Sequence, residues 1–372
     1  MSLQLERRTD FEDLIFGAKI LGCGGGGEEA LARTFLERIL AEGLKVTVLD
    51  PKTELSDNAL LCVTGMVGGR KTPETLAIIE GLEEINKDPM LSATRLLEQF
   101  LDEKFYALVS TEIGAGNFFV PIYVSAKLGI GVIDGDLCGR AKPEISISTS
   151  NIAGLSITPL AIVSAFGDEL LLKSAQTDQR AEAIAREMAV LSGGTVGVAR
   201  CPAYWSAYQK AVIPGTMSWA QKIGTTIRLA LENGQQPLKS LLSLLTSPFQ
   251  PSEPRYFHAH VENFEVADRV GFVIGEISLK DNKGHRYRVW FKNEFLVIWR
   301  DDTPIASAPD LLCIVDAKTC EGLTPWENDF FSGREVVVII TKNHPLWYTS
   351  RGLELFSPKH FGFTFNYPGT KV

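Results

Sequence analysis

The 372-residue sequence lacks any run of basic residues, and 45 acidic residues against 37 basic ones give a formal net charge of −8. Proteins that bind nucleic acids or acidic membrane surfaces concentrate lysine and arginine on one face. The charge balance therefore argues against a nucleic acid or a membrane surface as a partner. With 45% hydrophobic and 22% charged residues, the composition is that of an ordinary globular protein.

Long apolar runs and cysteine pairs are also missing. No uninterrupted apolar stretch reaches the ~18 residues that span a bilayer. Residues 1–13 are polar and lack the apolar core of a signal peptide. The six cysteines include no C-x-x-C pair, which is typical of reduced thiols and not of a disulfide framework or a structural zinc site. We therefore predict a cytoplasmic protein.

Helical and strand-like patterns alternate through the first two thirds of the chain. The order strand, helix, strand predicts parallel pairing with crossover helices, so we expect an α/β fold with a mostly parallel sheet. The predicted strands lie at residues 45–50, 60–65, 106–110, 130–134 and 169–173. The predicted helices lie at residues 11–21, 28–42, 72–85, 118–128, 177–191 and 217–231.

The pattern changes at a proline-rich connector, residues 248–254, which neither a helix nor a central strand can accommodate. Beyond it, aromatic and β-branched runs separated by turn signals predict a small barrel or sandwich. We predict an N-terminal α/β domain at residues 1–167 and a C-terminal domain at residues 168–372. In the second domain an α/β stretch reaches about residue 247 and a β-barrel begins at about residue 255.

The most conspicuous local motif is G-C-G-G-G-G at residues 22–27, directly before a predicted helix. Backbone amides of Gly24, Gly25 and Gly26 could cradle a small ligand or an anion. A dinucleotide site would need a strand before the first glycine, whereas residues 11–21 favour a helix. A tight turn that packs beneath a neighbouring strand is the structural alternative. Cys23 has no histidine nearby in sequence, which favours a small buried side chain over a nucleophile.

Acidic residues follow two consecutive predicted strands. Glu112 comes after the first, and Asp134 and Asp136 end the second, with Glu144 further along the same segment. Carboxyl ends of parallel strands line the ligand crevice of open sheets, so these acids could supply a general base or bind a divalent metal. Asp134 and Asp136 are the candidate metal ligands, and each acid could instead accept hydrogen bonds from turn amides. Arg140 could balance the acids or clamp a substrate carboxylate.

Other polar residues are candidates on local grounds. Thr216 follows a Pro-Gly pair and is a candidate helix N-cap and anion contact. Asn293 and Glu294 interrupt an aromatic run, where polar residues are costly unless they form a turn or a site.

The end of the chain and its histidines give weaker signals. Arg351, close to Trp347, could clamp an anionic substrate or belong to a surface pair. His258 and His260 would share one face of a strand as a possible metal pair, but the sequence offers no third ligand.

Six motifs in this order resemble the S-methyl thiohydantoin desulfurase family, and the resemblance extends from about residue 10 to residue 367. The motifs are G-A-K-I-L-G-C-G-G-G-G at 17–27, E-I-G-A-G-N at 112–117, D-G-D-L-C-G-R-A-K-P-E at 134–144, I-P-G-T at 213–216, N-E at 293–294 and P-D-L-L-C at 309–313. The resemblance implies an N-terminal three-layer α/β domain and a C-terminal domain that contains a β-barrel. It also implies removal of a sulfur substituent from a thiohydantoin ring. This chain departs from the family at Cys23, where relatives usually carry threonine.

The implied reaction is attack of water on a ring C=N carbon, with loss of thiolate. Glu112, Asp134 or Asp136 would serve as the base, and the glycine amides and Asn117 would hold the ring. Arg140 or Arg351 would hold a substrate carboxylate.

Glu144, Thr216, Asn293 and Glu294 complete the predicted substrate-binding set. The cofactor, if any, would be a divalent metal. Two other functions stay open: a non-catalytic partner of a hydantoinase/oxoprolinase-type protein, and a nucleotide-dependent enzyme. We also expect a homo-oligomer.

Overall fold

The computed structural model describes residues 3–53, 55–69, 71–246, 252–269, 272–325 and 327–369. Residues 248–251 of the proline-rich connector therefore lie outside the described residues. The helices are α1 (Arg8–Leu21), α2 (Glu29–Ala41), α3 (Pro73–Ile78), α4 (Pro89–Leu101), α5 (Ala115–Leu128), α6 (Thr149–Ile152), α7 (Asp178–Leu191), α8 (Trp205–Tyr208), α9 (Thr216–Glu232), α10 (Pro237–Leu244) and α11 (Ser350–Leu355). Short 3-10 helices span Pro345–Tyr348 and Pro358–Phe361.

The strands form two sheets. They are β1 (Thr47–Leu49), β2 (Leu60–Gly68), β3 (Ala107–Ser110), β4 (Gly131–Asp136), β5 (Leu160–Val163), β6 (Glu169–Leu172), β7 (Thr195–Tyr204), β8 (Ile213–Pro214), β9 (Arg255–Arg269), β10 (Phe272–Lys280), β11 (Arg286–Lys292), β12 (Glu294–Arg300), β13 (Thr303–Ser307), β14 (Leu311–Asp316) and β15 (Glu335–Thr341).

The first sheet has the strand order β1-β4-β3-β2-β7-β5-β6, with β8 paired to β4. Strands β1, β4, β3 and β2 pair in parallel, as predicted, because helical crossovers connect β2 to β3 and β3 to β4. Strands β7, β5 and β6 continue the sheet in antiparallel fashion. The sheet thus runs on beyond residue 167, through strands of both halves of the chain.

Helices cover both faces of this sheet. Ala161 and Val163 of β5 belong to the core that contains α4, whereas Leu160 and Ile162 pack in the core that contains α7. Successive side chains of a strand point to opposite faces, so the sheet is the middle of three layers. Within the described residues no helix has both the length and the apolarity to cross a membrane.

The second sheet is antiparallel throughout, in the order β13-β12-β11-β10-β9-β15-β14. Register shifts within the β9–β10, β11–β12 and β12–β13 pairs accompany its curvature around an aromatic-rich core. The predicted closed barrel is not confirmed: among the described residues β13 and β14 do not pair with each other, and the sheet is a curled half-barrel. Alternate residues of β14, including Leu311 and Val315, instead pack in the core that contains α1.

The predicted helix at residues 72–85 is much shorter in the structure. Helix α3 starts at a Thr72 capping box with Pro73 in its first turn, as expected, but ends at Ile78. It buries none of its residues, so no tertiary packing supports its extension.

Candidate active site

The glycine motif forms a tight loop between α1 and α2. A helix therefore precedes Gly22, as the sequence predicts, and the strand that a dinucleotide site requires is not present. Gly26 has a φ of +84°, and a Cβ there would lie 2.3 Å from the Gly114 Cα. A Cβ on Gly25 would lie 2.2 Å from the Glu294 Oε1. Only glycine lets this backbone approach both the start of α5 and the Glu294 carboxyl so closely.

Glu112 lies just beyond the end of β3, with a side chain that is only 4% exposed. Its Oε1 accepts a hydrogen bond from the Asn117 amide at 2.7 Å, and its Oε2 accepts one from the Lys142 backbone N–H at 3.1 Å. Burial raises the pKa of Glu112, while the charge of Lys142 and the Asn117 hydrogen bond partly oppose that rise. Both carboxyl oxygens are thus held in fixed directions.

Glu294 enters the same region from the second sheet, at the start of β12. The preceding residue, Asn293, forms the tight turn after β11 with a φ of +63°, and its side chain accepts a hydrogen bond from the Val273 N–H at 2.9 Å. Glu294 is 2% exposed, and its Oε2 has no hydrogen-bond partner among the described residues. Burial, and then the negative charge of Glu112, raise the pKa of Glu294 well above its ordinary value.

Two buried cations, Lys142 and Arg200, lie close enough to Glu112 for their charges to act on its carboxyl. Lys142 is 5% exposed and its Nζ contacts no partner within the described chain. Arg200 of β7 is 1% exposed; its Nη2 donates to the Thr111 Oγ1 at 2.6 Å, and its Nη1 has no partner within the described chain. Burial and the charge of Arg200 lower the pKa of Lys142. An unpaired buried nitrogen is costly, so the arrangement is suited to an acceptor or an anion supplied by a ligand.

Glu144 lies at the edge of the site. Its two oxygens pair with the Lys292 Nζ at 2.6 Å and the His360 Nε2 at 3.0 Å. Burial opposes ionisation, but the hydrogen bonds from His360 and Lys292 outweigh it and lower the pKa of Glu144 to about 2. The carboxylate therefore connects the segment after β4 to the second sheet and to the C-terminal segment.

Glu112, Glu294, Lys142 and Glu144 line one cavity of about 220 Å³, which has room for a small molecule, whereas Arg200 is not part of its wall. Both halves of the chain contribute to its wall. Of the site residues predicted from the sequence, the cavity wall includes Gly26, Glu112, Asn117, Glu144, Asn293 and Glu294. The wall also includes Gly27, Thr111, Lys142 and Arg186.

Asp134 and Asp136 are not part of this wall. The Asp134 Oδ1 accepts a hydrogen bond from the Ser218 N–H at 3.0 Å, and its Oδ2 accepts one from the Ser218 hydroxyl, so it caps the start of α9. The Asp136 Oδ1 accepts from the amides of Cys138 and Gly139, each at 2.6 Å. The expected crevice therefore includes Glu112 but neither of these two acids: both oxygens of Asp134 are bonded at the start of α9, and Asp136 is bonded through Oδ1 to its own turn, while its buried Oδ2 has no hydrogen-bond partner within the described chain.

Both arginines predicted to hold a carboxylate are engaged elsewhere. Arg140 is fully buried and donates to the backbone oxygens of Ala141, Phe295 and Asp310, so it joins the two halves of the chain. Arg351 is exposed and pairs with Asn151 and Glu354.

The remaining predicted groups also lie outside the cavity wall. They are Gly24, which packs against the Phe295 ring, Gly25, which lies against Glu294, and Thr216, which is the buried first residue of α9.

No metal site emerges from the predicted ligands. Within the described residues, no three histidine, cysteine, aspartate or glutamate side chains lie close enough together to hold an ion. His258 and His260 lie in the middle of the second sheet, on β9. Cys23 is a small, fully buried side chain, as the sequence favours.

Sequence reasoning missed Lys142 and Arg200. A signal existed for Arg200, because it is the one charged residue of the apolar strand β7, where an ionic group is costly without a purpose. Lys142 lies in the D-G-D-L-C-G-R-A-K-P-E motif at residues 134–144, two positions after Arg140. Nothing local distinguishes the two cations; the difference is that backbone carbonyls surround the Arg140 guanidinium and none bonds the Lys142 Nζ within the described chain.

Comparison with known proteins gives a consistent result. Residues 9–174 match the family described as "S-Me-THD-like, N-terminal domain", and residues 176–370 match "S-Me-THD-like, C-terminal domain". No curated protein matches the chain. A crystal structure of a protein from Chromobacterium violaceum has a similar fold, with a TM-score of 0.74 at 23% sequence identity, over 100% of this chain and 98% of that chain.

Proposed function

The chain belongs to the S-Me-THD-like family, and from that premise we propose that it hydrolyses a small thiohydantoin-type ring with release of a sulfur substituent. One observation carries the proposal. Two buried carboxyls, Glu112 and Glu294, face one small cavity beside a glycine loop, and their surroundings give them different proton affinities. Unequal carboxyls of this kind are suited to separate roles as base and acid.

In this proposal Glu112 is the base. Its two anchoring hydrogen bonds fix its direction, and its higher pKa makes it a stronger base than an exposed glutamate. It takes a proton from a water molecule as the water oxygen bonds to the ring C=N carbon. The Gly26 and Gly27 segment of the wall lies where it can hold the ring edge.

Glu294 is the acid. Its carboxyl keeps its proton to higher pH than an ordinary glutamate does, because burial and the charge of Glu112 disfavour a second anion. When the C–S bond breaks, the leaving thiolate takes this proton. The hydroxyl proton of the addition intermediate passes to the ring nitrogen, so an N–H and a ring carbonyl replace the N=C–S unit. One proton enters at Glu112 and one leaves from Glu294, so exchange with water restores the starting state.

In this proposal Lys142 binds the substrate carboxylate, a role that the sequence analysis gives to Arg140 or Arg351. Lys142 is part of the cavity wall and lies close enough to Arg200 for the two charges to interact, and its buried Nζ has no hydrogen-bond partner within the described chain. A carboxylate on the substrate would compensate both charges and leave the reactive carbon near Glu112.

The test is incubation of the purified protein with an S-methylated thiohydantoin that bears a carboxylate side chain. Released methanethiol is measured with a thiol reagent, and the ring product by mass spectrometry. We expect equal amounts of thiol and oxygenated ring with wild type, and little of either with Glu112→Gln. Glu187→Gln, at an exposed position, is the matched control. Thiol release that is unchanged in both Glu112→Gln and Glu294→Gln would overturn the assignment.

A further inference from the structure

Two thiols meet behind the glycine loop, outside the cavity. Cys23 lies in the loop and Cys313 lies in β14, 290 positions apart in sequence, yet their Sγ atoms are 3.9 Å apart. Both side chains are fully buried. The contact joins the family's N-terminal segment to its C-terminal segment.

The surroundings of the two sulfur atoms differ. Burial alone would raise both pKa values, but a hydrogen bond from Cys313 and the charge of Arg140 lower that of Cys23. The pKa of Cys313 is raised, first by its hydrogen bond to Cys23 and then by burial. Arg140 bonds only to carbonyl oxygens among the described residues, so no ion pair consumes its charge. Cys23 is therefore favoured as the thiolate, and Cys313 as the thiol that reacts in the second step.

We propose that Cys23 and Cys313 are an oxidative modification site, a dithiol that hydrogen peroxide converts to a disulfide. The Cys23 thiolate attacks peroxide, which breaks the O–O bond and gives a sulfenic acid and hydroxide. The Cys313 sulfur then attacks the Cys23 sulfur, water leaves, and the S–S bond forms. In total, two thiols lose two electrons and two protons while peroxide becomes two waters. The burial of both sulfur atoms selects an oxidant about as small as water over a bulky disulfide such as oxidised glutathione.

The bond would act on the glycine loop. A disulfide is about 2.05 Å long, so the sulfur atoms must move about 2 Å closer. The loop is the more deformable partner, since β14 is held between β15 and the core around α1. The Cys23 carbonyl accepts a hydrogen bond from the Phe295 N–H at 2.8 Å, and Gly25 lies against the Glu294 carboxyl. Movement of Cys23 therefore reaches the cavity wall, and the bond ties the two family segments together.

The experiment treats the reduced wild-type protein with hydrogen peroxide, blocks free thiols with N-ethylmaleimide and maps the peptides by mass spectrometry without reductant. We expect a Cys23–Cys313 linked peptide, the loss of two hydrogen masses from the intact protein, and reversal by dithiothreitol. The oxidised protein should also melt at a higher temperature, because the link joins distant parts of the chain. Oxidised glutathione at equal concentration should react far more slowly.

Cys313→Ser should abolish the link, whereas Cys320→Ser, another buried thiol, should leave it intact. If the serine variant does not fold, the wild-type peptide map still decides the question. Free alkylated Cys23 and Cys313 after peroxide treatment, or a different cysteine pair, would overturn the proposal. No step requires the hydrolase activity, so this result and that of the turnover assay are independent.

Discussion

The two acidic pairs of this protein differ in where they lie relative to the cavity, since Glu112 and Glu294 line it and Asp134 and Asp136 do not. Asp134 and Asp136 end a buried strand, but backbone and hydroxyl donors of nearby turns and of α9 bind them. Glu112 and Glu294 come from different sheets and line one cavity. An unpartnered oxygen does not separate the two pairs, because the Glu294 Oε2 and the Asp136 Oδ2 both lack a hydrogen-bond partner within the described chain. Burial raises the pKa of all four carboxyls. A raised pKa at a strand end is therefore not enough to mark a catalytic group; the residue must also be part of a cavity wall.

The largest expected effect, and the most direct test of the difference between the two pairs, comes from neutralising the acids one at a time. Glu112→Gln and Glu294→Gln should each lower kcat about 10²–10⁴-fold, the usual contribution of a general base or acid. Asp134→Asn should change kcat by less than about tenfold, and its main loss should be in stability through the weakened helix cap. Steady-state thiol release and circular dichroism measure both effects. Equal losses of kcat at Asp134 and at Glu112, with folds intact, would erase the distinction.

A second comparison concerns two buried cations: Lys142, whose Nζ has no hydrogen-bond partner within the described chain, and Arg140, which bonds to backbone carbonyl oxygens. Lys142→Met should raise KM about 10–100-fold for a carboxylate-bearing ring, since a charge-assisted hydrogen bond contributes about 1.5–3 kcal/mol. It should have little effect on a ring that carries no carboxylate. Lys210→Met, at an exposed position, is the control and should leave KM unchanged for both substrates. An equal KM effect on both rings would show that Lys142 does not bind the carboxylate.

The pH dependence of kcat/KM tests the separate roles of Glu112 as base and Glu294 as acid. Activity should rise as Glu112 loses its proton, above the ordinary pH range for a glutamate because its pKa is raised. It should fall again where Glu294 loses its proton, at higher pH because its pKa is raised further above the ordinary value. A bell-shaped plot of kcat/KM against pH is the expected result, and residual turnover of Glu294→Gln should lack the alkaline limb. A flat profile from pH 5 to pH 9 would contradict the assignment.

The smallest expected effect is on the pH dependence of the free energy of unfolding. It concerns two carboxyls, Asp136 and Glu144, whose pKa values are shifted in opposite directions. Burial raises the pKa of Asp136 to about 7 from 3.8, so its contribution to stability is present below pH 3.8 and lost as pH rises to about 7. Burial alone would raise the pKa of Glu144, but hydrogen bonds from His360 and Lys292 lower it from 4.5 to about 2. Its contribution to stability is therefore present above pH 4.5 and lost as pH falls toward about 2.

Urea unfolding at pH 4 and pH 8 measures both effects. The free energy of unfolding of Asp136→Asn, relative to that of wild type, should be higher at pH 8 than at pH 4. For Glu144→Gln the relative free energy of unfolding should be higher at pH 4 than at pH 8. Each difference between the two pH values should be on the order of 1–3 kcal/mol. The opposite sign for either variant would show that its environment is not the one described.

Much of the fold follows from local pattern. The amphipathic spacing at residues 11–21 predicts α1, and the alternation of strands and helices predicts the parallel strands β1 to β4. The pattern fails where packing decides, as at α3, which ends at Ile78 for lack of a buried face. It also fails to show that the second sheet stays open, because β14 packs toward α1 and not toward β13.

The candidate site was partly predictable for the same reason. Glu112, Asn117 and the glycines are marked by their place after a strand or before a helix, which is local information. Glu294 reads only as a polar residue near a turn, and Lys142 as one cation in a mixed motif. Their significance depends on neighbours that are distant in sequence: Glu112 lies 182 positions from Glu294 and 30 from Lys142, and Arg200 lies 58 positions from Lys142.

The sequence by itself determined the family, the three-layer α/β part and the glycine loop, because composition, periodicity and motif order are properties of short segments. Only the tertiary structure decided which buried charges face the cavity and which are neutralised by backbone groups. The physical reason is that burial raises the cost of every charge, and the geometry of distant neighbours alone sets whether a hydrogen bond or a ligand offsets that cost.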